Sequence, residues 1–124
     1  MPERRCSMPD VVGTRLTVYL TEDDRAGRRC LYEVLLERAR EDGMAGASIW
    51  RGIEGFGASG RLRTSRFPDA ANGLPVAVEV IDLPERVEAF LAVVRLLAPG
   101  SLVTREAVQI RRRDPAVDAR APSS

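Results

Sequence analysis

Apolar and polar positions alternate over residues 14–20, where Leu16, Val18 and Leu20 share one side and Thr17 and Tyr19 the other. A period of two marks a half-buried strand. Residues 21–27 (TEDDRAG) then break the pattern as a charged turn whose acids suit the start of a following helix. Leu31, Val34, Leu35 and Ala39 recur at helical spacing, with Arg29, Glu33, Glu37, Arg40 and Glu41 opposite, so residues 29–42 are predicted as a helix that Gly43 stops. Residues 47–53 (ASIWRGI) make a second strand. Arg51 falls where alternation calls for a core residue, which predicts a bulge or the strand's end there.

After a long stretch without apolar periodicity, residues 75–82 (PVAVEVID) alternate again, with Val76, Val78 and Val80 on one face and Ala77, Glu79 and Ile81 on the other. Asp82-Leu83-Pro84-Glu85 combines a capping residue, an early proline and an acid, the signature of a helix start. Val87, Phe90, Leu91, Val94 and Leu97 form its apolar stripe, and Pro99-Gly100 ends it. Residues 101–111 supply a fourth strand, with Val108 and Ile110 as the clearest apolar pair. The flanking residues 1–13 and 112–124 are polar and proline-containing, and read as a disordered leader and a disordered tail around one domain at 14–111.

The order is strand-helix-strand twice over. It predicts an α+β, ferredoxin-like βαββαβ sandwich, a four-stranded antiparallel sheet with two helices on one face. Leu16, Val18, Val76, Val78, Val80 and Val108 are expected to meet the helices. Tyr19, Trp50, Ala77 and Ile81, beside Thr17, Ser48 and Glu79, are left on the other face, which is too apolar to stay wet and predicts oligomerisation through it.

Composition narrows the chemistry. Charged residues make up 30% of the chain, yet the formal net charge is +1, so no large field draws it to nucleic acid or an anionic membrane. Histidine is absent, which removes the usual general base near neutral pH and the commonest metal ligand. The two cysteines, Cys6 and Cys30, have no CxxC partner and indicate neither a zinc site nor a disulfide framework. The N-terminus has no apolar run of a secretory signal, and nothing approaches the ~20 apolar residues of a membrane span. A cytoplasmic protein is expected. No Ser, Cys or Lys has an evident base beside it, and the reading is of a non-enzyme with no required cofactor.

The stretch that carries chemistry is 51–66, Arg-Gly-Ile-Glu-Gly-Phe-Gly-Ala-Ser-Gly-Arg-Leu-Arg-Thr-Ser-Arg, inside a connection running to Gly73. Loops beyond about 12–15 residues are uncommon in compact domains unless functional or disordered. Residues 55–60 spell G-x-G-x-x-G, but no helical stripe follows, and a dinucleotide fingerprint requires one. Clustered glycines let backbone N–H groups converge on an anion, and Arg61, Arg63 and Arg66 would add charge-assisted bonds to phosphate. A solvated loop kept soluble by its arginines is the other reading. Glu54 is read either as a group near the site or as a structural partner of Arg51.

Tyr32-Glu33, Gly43-Met44-Ala45-Gly46-Ala47, the acidic Glu22-Asp23-Asp24, Leu74-Pro75-Val76 and above all the RGIEGFG run at 51–57 resemble the PII-like proteins of domain-of-unknown-function family 190, across residues 14–111. The resemblance implies a homotrimer with sheets facing inward and a mobile loop between the second and third strands. In PII-type proteins that loop touches partners, and an adenine nucleotide lies at its base between subunits. True PII proteins carry a lysine-containing phosphate loop before the last strand, whereas here Ala98-Pro99-Gly100-Ser101 has no lysine. Phosphates would therefore be held by the 51–66 segment, and AMP or ADP is easier to satisfy than ATP. The implied ligand-binding residues are Arg51, Gly52, Glu54, Gly55, Gly57, Arg61 and Arg63. Two functions follow from the resemblance: a regulator that binds a small anion and signals through the 55–73 loop, or a non-catalytic accessory subunit of a membrane transporter, since genes of the family often neighbour those of fluoride-exporting channels.

Overall fold

The computed structural model describes residues 10–66 and 73–111. Its elements run β1 (Val11–Thr21), β2 (Arg25–Ala26), β3 (Arg29–Cys30), α1 (Leu31–Glu41), β4 (Gly46–Arg51), β5 (Glu54–Gly55), β6 (Arg63–Thr64), β7 (Pro75–Asp82), α2 (Pro84–Leu97) and β8 (Leu102–Ile110). The main sheet has the order β4-β7-β1-β8, and every neighbouring pair is antiparallel. Both helices pack on one face of it. This is the expected ferredoxin-like sandwich.

Several boundaries differ from expectation for identifiable reasons. β1 begins at Val11, because β8 is long enough to pair Val11 with Ile110 and Gly13 with Val108. Residues 11–13, expected in the leader, are therefore in the sheet, whereas residues 1–9 and the tail 112–124 lie outside the described residues. α1 starts at Leu31, since Arg29 and Cys30 pair with Ala26 and Arg25 in a two-rung ribbon. β4 starts one residue early at Gly46 and ends at Arg51, opposite Val76, which is the strand's end expected there as one of two outcomes.

Antiparallel partners point to the same side of a sheet, so the register assigns both faces. Leu16 lies opposite Val80 and Val18 opposite Val78, and all four are at most 1% exposed beneath the helices. Val103 pairs with Val18 and joins this core. Val108, expected there, pairs with Gly13 and lies on the far face instead. The alternation within β8 is ambiguous by itself, and its pairing with β1 decides the parity.

α1 buries Leu31, Leu35 and Ala39, and α2 buries Val87, Phe90, Leu91 and Val94. Burying each large apolar side chain contributes about 1.5–3 kcal/mol gross, mostly offset by chain entropy. Leu97, expected in the α2 stripe, is 36% exposed, and the buried residue at that end is Ala98. α1 closes with paired bonds from Gly43 N–H to Arg40 O (3.0 Å) and from Met44 N–H to Ala39 O (3.1 Å), the Schellman arrangement.

The start of α2 differs from the predicted cap. Leu83 is the N-cap and makes no side-chain cap bond. Asp82, 1% exposed, instead accepts bonds from Leu83 N–H (2.7 Å), Ala45 N–H (3.0 Å) and Arg86 Nε (2.8 Å). One carboxylate thus ties the end of β7, the first turn of α2 and the α1–β4 connection. The opposite sheet face carries the rung Leu102, Tyr19, Ala77 and Trp50, followed by Thr104, Thr17, Glu79 and Ser48. Trp50 is 61% exposed, Leu102 51% and Tyr19 44%.

Candidate functional site

Beyond β4 the chain leaves the sheet but remains fastened to it. Gly52 N–H donates to Pro75 O at 2.7 Å. A Cβ on Gly52 would lie 2.9 Å from Pro75 Cγ, so only glycine lets the backbone pass this close. The segment expected to be an unpatterned loop then forms a small hairpin. Glu54 pairs with Thr64 and Gly55 with Arg63, and Ser65 N–H adds a bond to Ile53 O at 2.9 Å. The tip turns through Gly60, whose N–H donates to Gly57 O at 2.9 Å. No helix follows the G-x-G-x-x-G pattern among the described residues, so it serves as a turn and not as a dinucleotide fingerprint.

Glu54 is committed within this hairpin. Its Oε1 accepts from Thr64 Oγ1 at 3.0 Å and lies 2.8 Å from Arg66 Nε, while Oε2 accepts from Arg66 Nη2 at 3.0 Å. Arg66 thereby braces the hairpin, so of the two readings of Glu54 the structural one holds in kind, with Arg66 and not Arg51 as the partner. Arg51 reaches Glu22 instead, with Nε 2.6 Å from Oε2. Arg63 lies 3.1 Å from Asp23 Oδ2. The charged turn after β1 is therefore the counterpart of the arginines, in addition to leading into the next helix.

A cleft of about 730 Å³ opens between the hairpin, the ends of β1, β4 and β7, and the connection from α2 to β8. All seven residues singled out in the sequence, Arg51, Gly52, Glu54, Gly55, Gly57, Arg61 and Arg63, line it. Two walls were not expected from the sequence: the aromatic one of Tyr19, Trp50 and Phe56, and the far one of Pro99 to Ser101. Trp50 was identifiable in principle, as the single tryptophan, on the uncovered sheet face and adjacent to Arg51. Arg25 also borders the cleft, with Nη1 2.8 Å from Cys30 Sγ. The Arg61 side chain has no hydrogen-bond or ion-pair partner among the described residues. A cavity of this size holds a nucleotide-sized molecule, and its combination of stacking surfaces with several guanidinium groups suits a flat, anionic one. Among the described residues no group of His, Cys, Asp and Glu has the arrangement of a metal site. No helix among them is long and apolar enough to cross a membrane.

A four-stranded antiparallel sheet backed by two helices, with a glycine-rich hairpin rising between its β4 and β7 strands, is the architecture of PII-like proteins. The similarity to solved structures agrees. CPII from Thiomonas intermedia K12, in a structure bound to ADP and bicarbonate, matches with a TM-score of 0.59 and 17% identity, over 84% of this chain and 93% of that one. A PII-like signaling protein from Thermus thermophilus matches with a TM-score of 0.56 and 17% identity, over 89% and 98%. In sequence, a UPF0166 protein of Aquifex aeolicus is 35% identical over 95 residues, covering 77% of this chain and 90% of that protein. The family model DUF190, described as an uncharacterized ACR, matches residues 13–110, and the chain belongs to that family.

Proposed function

We propose that this protein is a PII-like regulator that binds a small phosphorylated anion, an adenine nucleotide, in the cleft beneath the β5–β6 hairpin. The observation that carries the reading is the convergence of Arg51, Arg61 and Arg63 with Tyr19, Trp50 and Phe56 around one cleft. The ring faces accept a base by stacking, and the guanidinium groups accept phosphate by charge-assisted bonds. The ADP in the CPII structure supports the same ligand class. The α2–β8 connection offers no lysine, so AMP and ADP fit better than ATP. In this reading three copies assemble through the apolar sheet face, which sets each cleft beside a neighbour. The hairpin, where Ile53 is 74% exposed, Phe56 72% and Leu62 54%, presents its apolar side chains to a protein partner.

Titration calorimetry with AMP, ADP, ATP and cyclic dinucleotides tests the proposal. ADP is expected to bind, and Arg61→Ala to weaken it about tenfold, the worth of one charge-assisted bond. Silence from every ligand would remove the reading. The same exposed Ile53, Phe56 and Leu62 favour a second function, an accessory subunit of a membrane transporter acting by protein contact alone. That alternative is distinguished by co-purification that survives loss of all nucleotide binding.

A further inference from the structure

Glu22 and Asp23, just outside the cleft lining, each hold one of the arginines that line it, Arg51 and Arg63. Glu22 Oε2 lies 2.6 Å from Arg51 Nε, its Oε1 accepts Leu74 N–H at 3.2 Å, and its own N–H donates to Leu74 O at 2.9 Å. Asp23 Oδ2 lies 3.1 Å from Arg63 Nη1, joining residues 40 positions apart. Gly73, at φ +72°, packs against this pair, and a Cβ there would fall on both Arg63 Nη1 and the Asp23 carboxylate. The chain leaves room for the pair by having no side chain at that position. One acidic turn thus holds the end of β4, the returning strand of the hairpin and the residue entering β7.

Resting on the anion-binding reading above, we propose that Glu22 and Asp23 are internal competitors for the ligand. They bias the site toward anions carrying two phosphoryl groups over those carrying one, and their displacement unfastens the β5–β6 hairpin. A guanidinium already neutralised by a carboxylate gains little from a single phosphoryl group that merely takes the carboxylate's place. An anion with two phosphoryl groups presents enough charge and enough acceptors to replace both carboxylates and still engage Arg61. The displaced groups return to water at modest cost, since the Glu22 and Asp23 side chains are already 24% and 57% exposed. Leu74 N–H then loses its Glu22 acceptor, so occupancy of the cleft is transmitted to the base of the hairpin. The coupling is reciprocal: a turn that opposes the ligand is loosened by it to the same degree.

The experiment titrates the full chain, Asp23→Asn and Glu22→Gln with ADP, AMP, pyrophosphate and inorganic phosphate, following Trp50 emission. Amide exchange at Leu74 is measured alongside. The wild type is expected to prefer ADP to AMP, and pyrophosphate to phosphate, by about tenfold. Asp23→Asn is expected to bind AMP about two- to fivefold tighter, the worth of one exposed ion pair, and so to narrow the preference. Saturating ADP is expected to speed exchange at Leu74. Binding that neither carboxylate variant tightens, or a Leu74 amide that exchanges more slowly with ADP bound, overturns the competitor role while leaving the anion site standing. No response from the wild type or either variant to any of the four anions overturns both.

Discussion

At the scale of single residues, Asp82 joins three elements through one carboxylate, and its protonation state carries that role. Burial alone would raise its pKa, but the bonds from Arg86, Leu83 N–H and Ala45 N–H outweigh it and hold the group below the usual carboxylate range. A folded-state pKa below the unfolded one means that the stabilisation is complete above the ordinary value of about 4 and fades as pH falls through the lower folded value. Asp82→Asn should therefore cost about 1.5–3 kcal/mol in urea unfolding at neutral pH, the worth of hydrogen bonds to a charged acceptor. The gap to wild type should close in acid. A gap of constant size across pH would show that shape, and not charge, carries the contribution.

Among the elements, α2 bears the largest wholly buried side chain, Phe90, at 1% exposure. Phe90→Ala should cost about 3–5 kcal/mol through lost burial and the cavity left behind, read as a lower denaturant midpoint with an unchanged slope. How legible each element was in the sequence follows from how local its determinants are. β7 alternates without interruption from Pro75 to Asp82, and its expected and observed bounds coincide. The two short ribbons, β2–β3 and β5–β6, have two residues per strand, too few for any period to register. β8 places Val103 and Val108 on opposite faces, and only pairing with the distant β1 decides which one is core. The candidate site divides in the same way. Its three glycines, three arginines and Glu54 fall within the one readable stretch 51–63, and all seven come to line one cleft. The carboxylates that hold Arg51 and Arg63 come from a turn far away in sequence, and the aromatic wall draws Tyr19 and Trp50 from two different strands. Those partners are set by the sheet order β4-β7-β1-β8, which brings the end of β1 beside the start of β7.

For the molecule as a whole, the uncovered sheet face decides whether the chain acts alone. Trp50, Tyr19 and Leu102 lie along one rung of that face and all remain substantially exposed. If three copies bury it, light scattering at micromolar concentration should report about three times the 13.6 kDa chain mass, and Trp50→Glu should reduce it to a single chain. A well-behaved monomer of the unaltered protein would leave each cleft without a neighbour. β8 forms one rim of the same sheet, and among the described residues no strand pairs with its outer edge from Leu102 to Ile110. Such a rim invites stacking into fibrils, and this one sets Arg105, Glu106 and Gln109 along it between its apolar positions. Charged and polar side chains along an open edge disfavour the docking of further strands, so these three positions count against growth of the sheet into an amyloid-like ribbon.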